Sequence, residues 1–162
     1  MTTARTQSRL PIVFGIVALL LMGLYVFAHH WRVSINVTPS LPGHVYLIDL
    51  MDKTPVKDRL IAFRAENMAP IPDDVTVIKL VKGVADDVIT VIDREVHVNG
   101  EFVAKAKSRA MSGEALEVIA SQTIAKGSFF VWAPHPDSFD SRYQTPGLIS
   151  THQIIGTARE LF

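Results

Sequence analysis

Residues 88–103 read VITVIDREVHVNGEFV. Val88–Ile92 is a β-branched run, and Glu95–Val98 alternates polar and apolar as a half-buried strand does. Asn99-Gly100 is the dipeptide that closes a two-residue hairpin onto Phe102-Val103. The flanking chain continues in the same manner. Val33–Val37, Val45–Leu50, Leu60–Phe63 and Val75–Val81 precede the hairpin, and Ser128–Trp132 and Gln153–Thr157 follow it. Residues 105–127 are more polar, and Ser112–Val118 reads as a short helix or a loop excursion. The pattern predicts a mostly β, predominantly antiparallel domain over residues 33–162.

The first 32 residues differ in kind. Leu10–Ala28 reads LPIVFGIVALLLMGLYVFA without a charge. As a helix rising about 1.5 Å per residue it spans roughly 28 Å, close to the thickness of a bilayer's hydrocarbon. Pro11 falls in the first turn, where its missing N–H costs little, and Tyr25 and Trp31 sit where interfacial aromatics do. A cleaved leader has a shorter apolar run ending at a small-x-small site, whereas this run ends in Ala28-His-His-Trp31. Residues 1–32 are therefore expected to be a retained anchor, with residues 10–28 in lipid. Arg5, Arg9 and the amino terminus precede the run, while Arg32 alone follows before Lys53. That bias predicts a cytoplasmic N-terminus and residues 33–162 on the far side of the membrane.

Composition removes several classes of function. The chain has 162 residues, 16 basic and 16 acidic side chains, and no cysteine. Balanced charge argues against a broad nucleic-acid surface. Absence of cysteine excludes disulfides, thiolate nucleophiles and sulfur-ligated zinc. His29 and His30 lie at the membrane boundary, and His44, His97, His135 and His152 are scattered without ligand spacing, so no metal is expected. No phosphate-cradling glycine loop or dinucleotide fingerprint is present, and no cofactor is expected.

Three stretches carry candidate chemistry. In Asn36–Tyr46, NVTPSLPGHVY, two prolines and a glycine stiffen a loop that brackets Thr38 and Ser40. Such a loop can present a hydroxyl and neighbouring N–H groups to a substrate carbonyl. In Val77–Gly83, VIKLVKG, strand alternation puts Lys79 on one face with Val77 and Val81, and Lys82 on the other with Ile78 and Leu80. Burial lowers a lysine pKa and makes its amine available as a base. In Pro136–Tyr143, PDSFDSRY, alternating polar groups ending in Arg142 can orient a nearby amine. Taken singly, the three read as a proline-rich turn, a strand-edge lysine and a surface Asp–Arg pair.

In combination and order, the anchor, Asn36/Thr38/Ser40/Pro42/Tyr46, Ile78-Lys79, and Ser138/Asp140-Ser141-Arg142-Tyr143 resemble the signal peptidase I superfamily. They are most similar to its conjugative-transfer branch, the TraF-type serine peptidases, and Ile155–Ala158 is similar to the family's closing strand. The resemblance implies a signal-peptidase-like antiparallel β catalytic domain behind one transmembrane helix. It further implies that Ser40 is the nucleophile, Lys79 the base, and the Ser40 N–H with the Thr38 hydroxyl the oxyanion hole. Asp140 is then the third catalytic member, acting from a supporting shell with Ser138 and Arg142. The chain departs from the family where Leu80 follows the lysine and where Val84–Asp87 replaces the Pro-Gly-Asp turn. It departs too in the second lysine, Lys82, and in Gln144–Pro146, a longer spacer between Tyr143 and Gly147.

The expected activity is that of a serine endopeptidase on the periplasmic side of a bacterial inner membrane. The TraF-type branch implies maturation of a conjugative pilin precursor, with cyclisation in some members, among conjugation-apparatus proteins as partners. A general signal peptidase removing leaders from many exported proteins is the alternative within the enzyme class. An inactive anchored β domain that binds envelope components is the alternative outside it. Val33 and Ile35, beside the Ser40 loop, are expected to line a groove for an extended peptide.

Overall fold

A computed structural model describes residues 9–162. Arg5 and the amino terminus, part of the orientation argument, lie outside the described residues. Helix α1 spans Leu10–His30 and carries Pro at its first turn. None of its residues is buried, and its sides are apolar all round. A helix with this surface is stable in lipid rather than against water. Its last turn closes with Trp31 N–H donating to the Phe27 carbonyl.

Eleven strands follow: β1 Trp31–Ile35, β2 Val45–Asp49, β3 Leu60–Arg64, β4 Thr76–Gly83, β5 Val88–Ile92, β6 Glu95–Val98, β7 Glu101–Lys105, β8 Gln122–Thr123, β9 Ser128–Trp132, β10 Ile149–Ser150 and β11 Ile154–Glu160. They form a seven-stranded sheet, β1-β2-β11-β3-β4-β9-β10, and a four-stranded sheet, β7-β6-β5-β8. Every pairing is antiparallel. The fold is thus mostly antiparallel β with one N-terminal apolar helix.

The predicted hairpin is present, with Asn99 and Gly100 at φ 52° and 83°, the left-handed values that this turn requires. The strand expected over Gln153–Thr157 starts at Ile154 and runs to Glu160, because Thr151–Gln153 winds into a 3₁₀ turn first. Residues 112–118 belong to a loop excursion rather than a helix, held by isolated bridges Arg109–Ala115 and Val118–Tyr143. β11 passes between β2 and β3 at a bulge after Ile154. Gly156 is required there, since a Cβ would lie 2.0 Å from the Asp49 carbonyl oxygen.

Three apolar clusters support these sheets. Ile61, Phe63, Val81, Val131 and Ile149 fill the larger sheet, while Ile89, Val96, Ile124 and Phe130 fill the junction with the smaller one. Leu41, Tyr46 and Ala133 form the third cluster, with Leu60 and Ile78 against it. This third cluster lies beneath the β1–β2 connection and gives residues 36–44 a solid floor.

Candidate active site

β1 and β2 pair in register from Trp31–Asp49 to Ile35–Val45, so the intervening residues 36–44 form a loop at the end of the sheet. Leu41 anchors it in the apolar cluster, and the buried Tyr46 hydroxyl accepts the Gly43 N–H at 3.0 Å. Burial raises the Tyr46 pKa, and the Gly43 hydrogen bond partly opposes that shift. The loop presents Ser40, whose Oγ lies 2.9 Å from Thr38 Oγ1.

Lys79 enters from β4, where it pairs with Ile61 of β3 in the sheet interior. Only 4% of it is exposed, and Nζ donates to Ser138 Oγ at 2.7 Å. Burial lowers its pKa from 10.5 to about 8; the Asp140 carboxylate opposes that shift and the Arg142 guanidinium adds to it. Lys79 therefore offers a neutral amine at mildly alkaline pH.

Lys82 is different. Its Nζ lies 2.5 Å from Asp58 Oδ1 and 5.7 Å from the centre of the Trp132 ring, partly open to water. Lys82 is thus an ion-paired surface lysine, and β4, lying between β3 and β9, is an inner strand rather than the edge expected for it. Lys82→Ala is accordingly expected to retain most of the wild-type cleavage rate in a peptide-cleavage assay, whereas a collapse would move the base to Lys82.

Asp140 is fully buried and forms a two-point pair with Arg142, Nε to Oδ1 at 2.8 Å and Nη2 to Oδ2 at 2.9 Å. The carboxylate also accepts the Ala133 N–H, and Arg142 Nη2 donates to the Ala133 carbonyl. This pair ties the 133–142 segment, in which Ser138 lies, to the end of β9. Among the described residues Asp140 makes no hydrogen bond to Lys79, on which it acts through charge.

Thr38, Ser40, Lys79 and Ser138 line one cavity of about 450 Å³, and Asp140 and Arg142 stand behind its wall. Ile35 lines it as expected, but Val33 does not. Sequence reasoning missed Ile71, Val75, Met111, His135, Asp137 and Phe139 as lining residues. The flanks of the Ser138–Arg142 run signal His135, Asp137 and Phe139. Nothing local signals Met111, carried in by the 106–121 excursion, which an ion pair between Lys107 and Asp137 fastens to the rim. Most of the wall is apolar, which suits an extended peptide segment.

The pattern of the family described as signal peptidase, peptidase S26, matches residues 6–162. No curated protein matches. Among solved structures, a crystal structure of a signal peptidase I from Enterococcus faecalis V583 is similar at 23% identity. That match covers 65% of this chain and 97% of the other, with a TM-score of 0.44. On the family match over nearly its whole length, this chain belongs to the signal peptidase family of serine peptidases, peptidase S26.

Proposed function

We propose that residues 33–162 are a serine endopeptidase domain held at the outer face of a bacterial inner membrane by residues 1–32, with Ser40 as nucleophile and Lys79 as general base. The observation that carries this reading is one apolar cavity lined by both the Ser40 hydroxyl and a lysine whose burial brings its pKa to about 8. A serine hydroxyl is a poor nucleophile until a base takes its proton, and a desolvated amine can fill that role.

Lys79 Nζ is bonded to Ser138 and Ser40 Oγ to Thr38 in the resting site, and the proposed steps bring the two together across the shared cavity. Neutral Lys79 takes the Ser40 proton as Oγ attacks the scissile carbonyl, and the oxyanion accepts from the Ser40 N–H and the Thr38 hydroxyl. The Lys79 ammonium returns the proton to the departing amine, leaving an ester on Ser40. Water, deprotonated by Lys79, then cleaves the ester and restores Ser40. Ser138 accepts from Nζ and keeps the amine aimed at the cavity. A single oxyanion donor is typically worth about 10²–10³ in turnover.

Exported precursors are the substrate class. Similarity of the Asn36–Tyr46 loop and the Ser138–Tyr143 run to the TraF-type branch puts a conjugative pilin precursor first, with partners in the conjugation apparatus. The family description supports a general leader-removing role equally well. Where the amino terminus of the same peptide, rather than water, attacks the ester, Ser40 leaves as its hydroxyl and the product is a cyclic peptide.

The experiment is mass spectrometry of a pilin precursor coexpressed with the wild-type chain or with Ser40→Ala. Processing by the wild type alone is the expected result, and a product one water lighter than the linear form identifies cyclisation. Cleavage of unrelated leaders as well establishes the general role. Failure on every precursor, with both proteins folded in the membrane, rejects the enzyme in favour of an anchored binding domain.

A further inference from the structure

We infer that Asn36 is the positioning residue of the Ser40 loop: its carboxamide both closes the loop and sets the direction in which the Ser40 hydroxyl points. The inference rests on the reading of Ser40 as nucleophile.

Asn36 directly follows the last residue of β1, and its N–H donates to the His44 carbonyl at 2.8 Å, which shuts the base of the loop. The side chain then bridges the interior. Nδ2 donates to the Leu41 carbonyl at 3.1 Å and to the Gly43 carbonyl at 2.9 Å. Oδ1 accepts from the Thr38 N–H and from Thr38 Oγ1, both at 3.2 Å. A carboxamide has two N–H donors and one oxygen with two lone pairs, so its capacity is filled within one loop. The reverse orientation would set the oxygen against two carbonyls and the NH₂ against the Thr38 N–H. Ser40 lies in sequence between Thr38 and Leu41, which the two sides of this carboxamide engage, and its hydroxyl contacts Thr38.

The same contacts bear on the proton directions. Asn36 Oδ1 can only accept, so its 3.2 Å contact with Thr38 Oγ1 is a hydrogen bond when the single Thr38 hydroxyl proton lies on it. By distance either hydroxyl could donate in the 2.9 Å Thr38–Ser40 contact, and with the Thr38 proton engaged by Asn36 it is Ser40 that donates. The result is a relay, Ser40 to Thr38 to Asn36, that holds the Ser40 proton on Thr38 in the resting site. When Lys79 takes the Ser40 proton, the first bond of the relay is lost. A rotation of the Thr38 hydroxyl then turns its proton from Asn36 toward the oxyanion without moving a heavy atom. Asn36 thus keeps the Thr38 oxygen within reach of the reacting centre while occupying its proton until attack begins.

The test uses the full-length chain in liposomes with a cleavable precursor, comparing Asn36→Ala, Asn36→Asp and Ser40→Ala. Misplacing reacting groups by about 1 Å costs on the order of 10²-fold, so Asn36→Ala is expected to lower kcat by about that factor while KM changes little. Asn36→Asp keeps the size and the acceptor side toward Thr38 but turns a carboxylate onto the Leu41 and Gly43 carbonyls. It is expected to lower kcat as well and to lower the thermal midpoint without loss of folding, since two carbonyls lose their donors and face a carboxylate. Wild-type kcat in either folded variant overturns the inference, as does a rise in KM at unchanged kcat, which would make Asn36 a substrate-binding group. Loss of folding in both variants also overturns it, by assigning Asn36 to the fold instead of the site. If Ser40→Ala cleaves at the wild-type rate, the nucleophile reading itself has failed. If Ser40→Ala is inactive while the Asn36 variants are not, only the role of Asn36 has failed.

Discussion

Ser40→Ala is expected to reduce precursor cleavage by about 10⁴–10⁶-fold, Lys79→Met to do the same, and the double variant to be no worse than either single one. A nucleophile and its base act as one unit, so removing either member forfeits the same step, and what survives comes from binding and the oxyanion donors. Methionine is the informative replacement at Lys79. It fills a similar volume in a site where only 4% of the residue is exposed, yet it cannot carry the proton. Ser40 is only half-buried on its loop, so alanine there leaves the sheets untouched. The measurement is cleavage rate for the three variants under conditions where each is folded in the membrane. Losses that multiply in the double variant would show that the two residues act independently, and substantial cleavage by either single variant would remove it from the mechanism.

How far the site was legible in the sequence is clearest at the two lysines. Strand alternation separates Lys79 from Lys82 by face but cannot say which face is dry. That is decided by Asp58, which lies in the chain before β3 and neutralises Lys82 at the surface, and by Ser138, which meets Lys79 from the far side of the fold. Both are contacts between distant parts of the chain, outside the range of any local pattern. The strands show the same division. Glu95–Val98 and its Asn-Gly turn are plain because one face is buried and the turn needs positive φ. β8 and β10 have two residues each and exist only through the strands they pair with, and the passage of β11 between β2 and β3 is a long-range choice. Cavity residues divide likewise, with Ile35 legible beside the loop and Met111 hidden in an excursion whose course follows from its Lys107–Asp137 tether.

The buried pair behind Lys79 supplies a second large effect, one whose sign distinguishes charge from mere disruption. A lysine base works as the neutral amine, so the wild-type rate is expected to rise with pH through a midpoint near 8, where Lys79 loses its proton. The Asp140 carboxylate favours the ammonium and the Arg142 guanidinium disfavours it. Asp140→Asn removes the favourable charge and leaves the guanidinium, so the Lys79 pKa falls further and the rise in rate moves to lower pH. Arg142→Met removes the unfavourable charge and leaves the carboxylate, so the midpoint moves to higher pH. Both variants strand a buried charge, at a cost of about 3–5 kcal/mol in stability. That is a large share of the 5–15 kcal/mol typical of a domain, on the order given for native proteins. Rates must therefore be normalised to the folded fraction, read from thermal unfolding of the same samples. Opposite displacements of the two pH profiles are the expected result. Shifts in the same direction, or unmoved midpoints with reduced amplitude, would make the Asp140–Arg142 pair a fastening for the 133–142 segment alone and take it out of the tuning of Lys79.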